Sequence, residues 1–288
     1  MTDKSRPYDI VFSLGFSCGC SQSLRAAGLQ FSSYPLDWLG VPELSASARL
    51  VGSGFEGWME LDDFKLVDVN HGVGFCTRIY LNEKTQLGYS HEFSDMQRFD
   101  VVFPKVKETY VRRVERFMSE MESAKRILAV YLEHATRGKE DDGAIRDAVS
   151  AIRNRFPNAE VDLLYFYENT ECRAPVVESD SDGISVVAAD YRTVEEGRVT
   201  QFVQIPVVAG FLKANVSAVD HRTSEEKAKY LDMTRKMDSI RWGLHSSAFR
   251  RWLNHHAYKT YRTLERILRK RGLVQKELPV WFWGNDVK

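Results

Sequence analysis

The chain has 288 residues, 43% hydrophobic and 28% charged with eight prolines, which excludes a disordered, collagen-like or low-complexity protein and permits a real core. Forty basic residues balance forty acidic ones, so a generic polyanion binder is not expected and nucleic acid is not the favoured partner. The balance hides a division: from His221 onward there are 16 Lys+Arg against 7 Asp+Glu, whereas residues 1–220 carry 24 against 33.

Taken in chain order, Tyr8 to Leu14 is a short apolar run closed by Gly15, which predicts a buried strand. Ser21 to Gly28 predicts a short helix, with Gly28 as its stop. The segment Gly15-Phe16-Ser17-Cys18-Gly19-Cys20 between them reads as a tight strand-to-helix turn. From Asp62 to Tyr89 the pattern becomes β-branched and aromatic, and predicts a small antiparallel region. After Pro104, the apolar stripe Val106, Tyr110, Val114, Phe117 and Met121 predicts a helix. Strands follow at Ile127–Leu132, Val161–Tyr167 and Ile184–Ala188, with a helix through Ile145, Val149, Ile152 and Phe156.

This alternation points to an α/β fold, a mixed and partly parallel sheet flanked by helices. After Pro206 the rhythm is lost. Residues 225–237 read as a charged helix and Phe249 to Leu268 as a longer basic one, before the aromatic tail Pro279–Trp283. The expected organisation is a domain over 1–205 and a basic helical extension over 206–288 packed on it. No run approaches the roughly 18–20 apolar residues of a membrane span. The first residues lack the apolar core of a secretory signal, and four cysteines do not make a disulfide framework, so a reducing cytoplasm is expected.

Several motifs fail on spacing. Gly15 and Gly19 are too far apart for a dinucleotide fingerprint, no Lys-Ser/Thr follows Gly19 as a phosphate loop requires, and no arginine stands where a cysteine phosphatase needs one. Cys18 and Cys20, with Cys76 and Cys172 elsewhere, do not repeat the paired spacing of structural zinc, so neither a metal nor a cofactor is expected. The acidic run Glu178–Gly183 lacks the length and the final glutamate of a calcium loop.

What remains is a thiol at the mouth of a helix. Unpaired N–H groups there lower a cysteine's pKa and can receive an oxyanion, with Ser17 and Gly19 flanking the sulfur as binding positions. The bland alternative is a small buried residue.

Ser13-Leu14-Gly15-Phe16-Ser17-Cys18, Leu24-Arg25, Gly28-Leu29 and Ser33-Tyr34-Pro35-Leu36-Asp37-Trp38 together resemble a bacterial family labelled papain-like cysteine peptidase. Ser90-His91-Glu92-Phe93 and the arginine-bearing helix around Arg112, Arg113 and Arg116 stand where that family carries similar features; Leu36 replaces its phenylalanine. The resemblance covers about residues 8–190. It implies Cys18 as nucleophile and His91 as general base, with His71 as runner-up. The third member is left open among Asp37, Asp95 and Asp100, and a turn-capping role for Asp37 stands beside the catalytic one. It also implies a papain-like α+β arrangement, in tension with the alternation above.

Arg112, Arg113 and Arg116 read either as anion contacts or as a solvated face paired with Glu108, Glu115 and Glu120. Between Arg250 and Arg271 there are eight Lys+Arg and one acidic residue, fit for an anionic surface or glycan, or for docking on the acidic domain. The leading expectation is a thiol-dependent amide or ester hydrolase acting on a peptide or acyl substrate. A non-catalytic glycan- or partner-binding protein and a transferase for anionic or nucleotide-activated substrates are the alternatives.

Overall fold

A computed structural model describes residues 5–40, 43–72, 75–94, 98–135, 137–195 and 198–228, without the side chains of 70–77, 91, 94 and 193–202. The apolar run after Asp9 forms β1 (Ile10–Gly15), buried along its whole length. β1 pairs in parallel with β6 (Arg126–Leu132), β6 with β7 (Glu160–Glu168), and β7 with β9 (Ile184–Ala189); β8 (Val176–Ser181) closes the edge antiparallel to β9. The Val/Leu/Ile-rich runs of β6, β7 and β9 are those of strands covered on both faces.

The two faces separate cleanly at β1. Neighbouring strand residues point to opposite sides. Phe12 sets its ring edge-on to Phe117 of α3 (Phe99–Ser123), at 5.0 Å between centroids. Ser13 instead meets Cys20 of α1 (Cys18–Ala26). α2 (Leu44–Gly52) and α4 (Asp142–Arg155) join α3 on the Phe12 side: a Cβ at Gly52 would stand 2.9 Å from the carbonyl oxygen of Ala151, and Phe55 after α2 meets Phe117. α5 (Ile205–Asn215) packs with α1 over the other face.

A second, antiparallel sheet runs in the order β2 (Leu39–Gly40), β5 (Leu87–Ser94), β4 (Phe75–Asn82), β3 (Phe64–Gly72). Its core is aromatic: Phe64, Tyr80, Tyr89 and Phe93 meet Phe99, Phe103 and Tyr110 of α3. A hairpin of β10 (Arg192–Glu195) and β11 (Arg198–Val203) leads into α5.

The α/β expectation holds, with the antiparallel region as an annex to the mixed sheet. Boundaries differ in three places. α1 begins at Cys18 rather than Ser21, because the Ser17 side chain accepts the Gly19 N–H and caps the helix. α3 begins at Phe99, five residues before Pro104, so the proline lies inside the helix instead of opening it. The rhythm also continues past Pro206: α5 carries that proline in its first turn, where a missing N–H costs nothing. α2, built of small residues around Leu44, Ala48 and Val51, has no counterpart among the expected elements. The basic helix and the aromatic tail lie outside the described residues.

Among the described residues, no helix is long and apolar enough to cross a membrane.

Candidate active site

The carboxyl ends of β1 and β6 lie side by side, the usual position for a site in an α/β sheet. Gly15 ends β1 with φ 124°, a conformation reserved for glycine, and its peptide bond to Phe16 is cis. The Phe16 N–H then donates to the Leu132 carbonyl at 3.0 Å, tying the cysteine turn to the end of β6. Ser17 caps α1, and Cys18 opens it.

One residue separates the cysteines, and the helix turns them to different surroundings. Cys20 is fully buried, its thiol 3.4 Å from the Val130 carbonyl oxygen, and burial pushes its pKa up to about 12. Cys18 is half-buried, whereas the other residues from Leu14 to Ser21 are buried. Burial raises the Cys18 pKa too, outweighing the backbone N–H groups of Cys18 and Gly19 that pull it down. The expectation of a thiolate stabilised by the helix mouth is therefore corrected: desolvation wins, and the resting group is a thiol. The glycine between the cysteines serves packing, since a Cβ at Gly19 would lie 2.7 Å from a methyl of Val203 at the end of β11.

Asp37 is buried beneath this turn. Its carboxylate accepts from Gln30 Nε2 at 2.8 and 2.7 Å, from the Tyr34 N–H at 2.8 Å and from Arg25 Nη2 at 3.1 Å. Burial raises its pKa while these donors oppose the rise. Ser21 Oγ donates to the Asp37 carbonyl at 2.8 Å, joining α1 to the 30–38 turn. The geometry is that of a turn clamp, the structural one of the two roles expected for Asp37.

His91 lies on β5, but its side chain falls outside the described residues, as do those of His71 and Cys76 and all of Asp95. The strand that carries His91 packs against β2, β4 and α3, and the neighbouring Glu92 accepts from Tyr110 OH at 2.7 Å. The elements packed on α1 are β1, β6, β11 and α5. Asp100 is exposed and paired with Arg98 at 2.6 Å. The three arginines of α3 do not converge. Arg112 donates to Thr109 at 3.4 Å, Arg113 lies 5.0 Å over the Tyr110 ring, and Arg116 reaches the Ser33 carbonyl and Glu120. Arg116 also lines a cavity of about 580 Å³ beside Asp9, Ile10, His221 and Arg222, at the amino end of β1 and so away from Cys18.

The residues missed in the sequence follow β6. Glu133 is buried, with its carboxylate accepting from the His134 N–H at 2.8 Å and from Tyr165 OH at 3.1 Å. Burial pushes its pKa up to about 7. Tyr131 stacks on Tyr165 at 5.7 Å, and its buried hydroxyl has no hydrogen-bond partner among the described residues. His134 sets its ring edge-on to Phe16, 4.8 Å between centroids. A strand ending Tyr-Leu-Glu-His was legible as a strand; that its end abuts the cysteine turn depends on β1 pairing with β6, more than a hundred residues apart in sequence. No group of three or more metal-binding side chains occurs among the described residues.

A protein of Acanthamoeba polyphaga mimivirus, itself uncharacterised, is 25% identical over 137 residues, 42% of this chain and 60% of its own. The chain thus matches about 60% of the length of that curated relative, which is viral rather than bacterial. No solved structure matches. A family model matches residues 9–166, more than half of the chain, taking in the cysteine turn, the Asp37 clamp, β5, α3 and most of β7. The chain belongs to the family described as "Putative papain-like cysteine peptidase".

Proposed function

We propose that the protein is a thiol-dependent hydrolase of the cysteine-peptidase type, with Cys18 attacking the carbonyl of an amide or ester. The observation that carries this reading is the position of Cys18. It is the first residue of α1, half-exposed at the carboxyl edge of a parallel sheet, within the segment that matches the family. The Cys18 N–H at the start of α1, between Ser17 and Gly19, can receive the oxyanion of the tetrahedral intermediate. Because burial holds Cys18 as a thiol, the chemistry needs a general base. His91 is the base implied by the family pattern, and His134 is the imidazole beside the turn. Asp37 supports the site by holding the 30–38 turn against α1.

Peptide or acyl derivatives are the proposed substrates. Arg112, Arg113 and Arg116 are proposed as contacts for an anionic part of such a substrate, and the basic segment 250–271, outside the described residues, as a contact for an anionic surface or the acidic domain. A reducing cytoplasm suits the free thiols of Cys18, Cys20 and Cys172.

The test is covalent labelling with iodoacetamide followed by peptide mapping. Cys18→Ala should abolish rapid labelling and Cys20→Ala should preserve it. Equal labelling of the two variants, at Cys76 or Cys172, would overturn the reading.

A further inference from the structure

We infer that His134 is the general base for Cys18, supplied by the loop after a parallel strand and not by the antiparallel sheet. The inference rests on the reading of Cys18 as nucleophile. Three observations converge on it. First, the Phe16 N–H to Leu132 carbonyl bond and the contact of the Phe16 and His134 rings fix the loop after β6 against the turn that ends at Cys18. Second, β6 ends at Leu132 beside the Gly15 end of β1, so His134, two residues on, stands at the same end of the sheet as the cysteine turn, while Glu133 turns its carboxylate to Tyr165. Third, of the histidine side chains among the described residues, His221 lines the cavity at the amino end of β1, which leaves His134 at the carboxyl end.

The electrostatics suit a base. Burial, and after it the positive charge of Arg137, lower the His134 pKa, so the imidazole is neutral near pH 7. Glu133, Arg137 and Glu140 are other titratable groups of the same loop. A neutral imidazole beside a thiol raised by burial is a pair that exchanges its proton during attack, in place of a preformed ion pair. The sulfur forms its bond to the carbonyl carbon as the imidazole takes the thiol proton, and the carbonyl π pair moves onto oxygen. Collapse of this intermediate breaks the bond to the leaving nitrogen or oxygen, which takes the proton back from the imidazolium. Water, deprotonated by the same imidazole, then cleaves the thioester and restores the thiol.

The test measures the rate of Cys18 alkylation by iodoacetamide between pH 5 and 10 in the full chain. His134→Ala should slow it by at least about tenfold at pH 7 and move its pH midpoint upward, more than His91→Ala does. His134→Phe keeps a ring against Phe16 without a basic nitrogen, and should be as slow as His134→Ala. Added imidazole should restore part of the rate to His134→Ala. A wild-type rate and midpoint in His134→Phe would reduce His134 to packing and overturn the inference, as would slowing in His91→Ala alone. Failure of Cys18→Ala to remove the label is a separate result, and overturns the nucleophile itself.

Discussion

The two sheets of this protein are built on different physics. The mixed, largely parallel sheet is mostly aliphatic within and polar at its carboxyl edge, where Glu133, His134 and Glu168 stand on strand ends or the loops after them and Cys18 opens the helix after β1. The antiparallel sheet is a ring-on-ring assembly with α3, in which Phe93 touches Phe64, Tyr80, Tyr89 and Phe99. A polar link from the helix, Tyr110 OH to Glu92, holds a phenol in place. Buried carboxylates and thiols gather at the first sheet because parallel strands end together and their loops rise from one edge. In an antiparallel sheet the ends alternate in direction, and aromatic packing fills the face instead. Cys18, the proposed nucleophile, lies on the α/β part, so the remaining machinery is expected there as well.

α3 joins the two regions: Phe99, Phe103 and Tyr110 meet the antiparallel sheet, and the Phe117 ring contacts Phe12, Tyr34 and Phe55 on the side of β1. Phe117→Ala should be the most damaging of the substitutions considered, costing about 3–5 kcal/mol in urea unfolding and loosening both regions together. If only one region loses protection from hydrogen exchange, the two are less coupled than this ring implies.

Next in size is the clamp under the cysteine turn. Asp37→Ala leaves Arg25, Gln30 and the Tyr34 N–H without their acceptor, at a cost of about 2–4 kcal/mol. Iodoacetamide labelling of Cys20 should rise with it as α1 loosens, a result a purely catalytic aspartate would not produce.

Glu133 makes the carboxyl edge sensitive to pH. Its folded pKa of about 7 stands above the ordinary 4.5, so the folded state prefers the protonated form. The associated stability is complete below about pH 4.5 and is lost as the pH rises through 7, a change on the order of 3 kcal/mol. Glu168, also raised to about 7 chiefly by burial, acts in the same direction. Thermal melts of Glu133→Gln between pH 5 and 8 should therefore show a reduced slope, and a slope equal to that of the wild type would count against the buried-carboxyl account.

Gly19→Ala is a smaller perturbation, an overpacking against Val203 worth about 1–3 kcal/mol. Val203→Ala in the same chain should recover most of it. By contrast, removing the exposed Lys65–Glu83 pair of the antiparallel sheet should leave the melting temperature unchanged.

Much of the fold was legible in local pattern. β1, β6, β7 and β9 announced themselves as apolar runs, and the stripe Tyr110, Phe117 and Met121 of α3 is buried as its periodicity required. α2 was not legible because serine and alanine carry too weak a periodicity, and its burial comes from the close approach to α4. Cys18 could be singled out by its place after a strand and by its family pattern. Its state could not, because a helix end and a buried setting push a thiol in opposite directions and only the packing sets their ratio.

By itself, then, the sequence determined the alternating elements, the cysteine turn and the division of charge, all of which are properties of neighbours along the chain. Only the tertiary structure decided which cysteine faces outward, that Asp37 is spent on Arg25, Gln30 and Tyr34, and that Glu133 and His134 stand beside the turn. The place of Glu133 and His134 is a consequence of pairing Ile10 with Ile127 and Gly15 with Tyr131, contacts between residues distant in sequence whose register local chemistry does not encode.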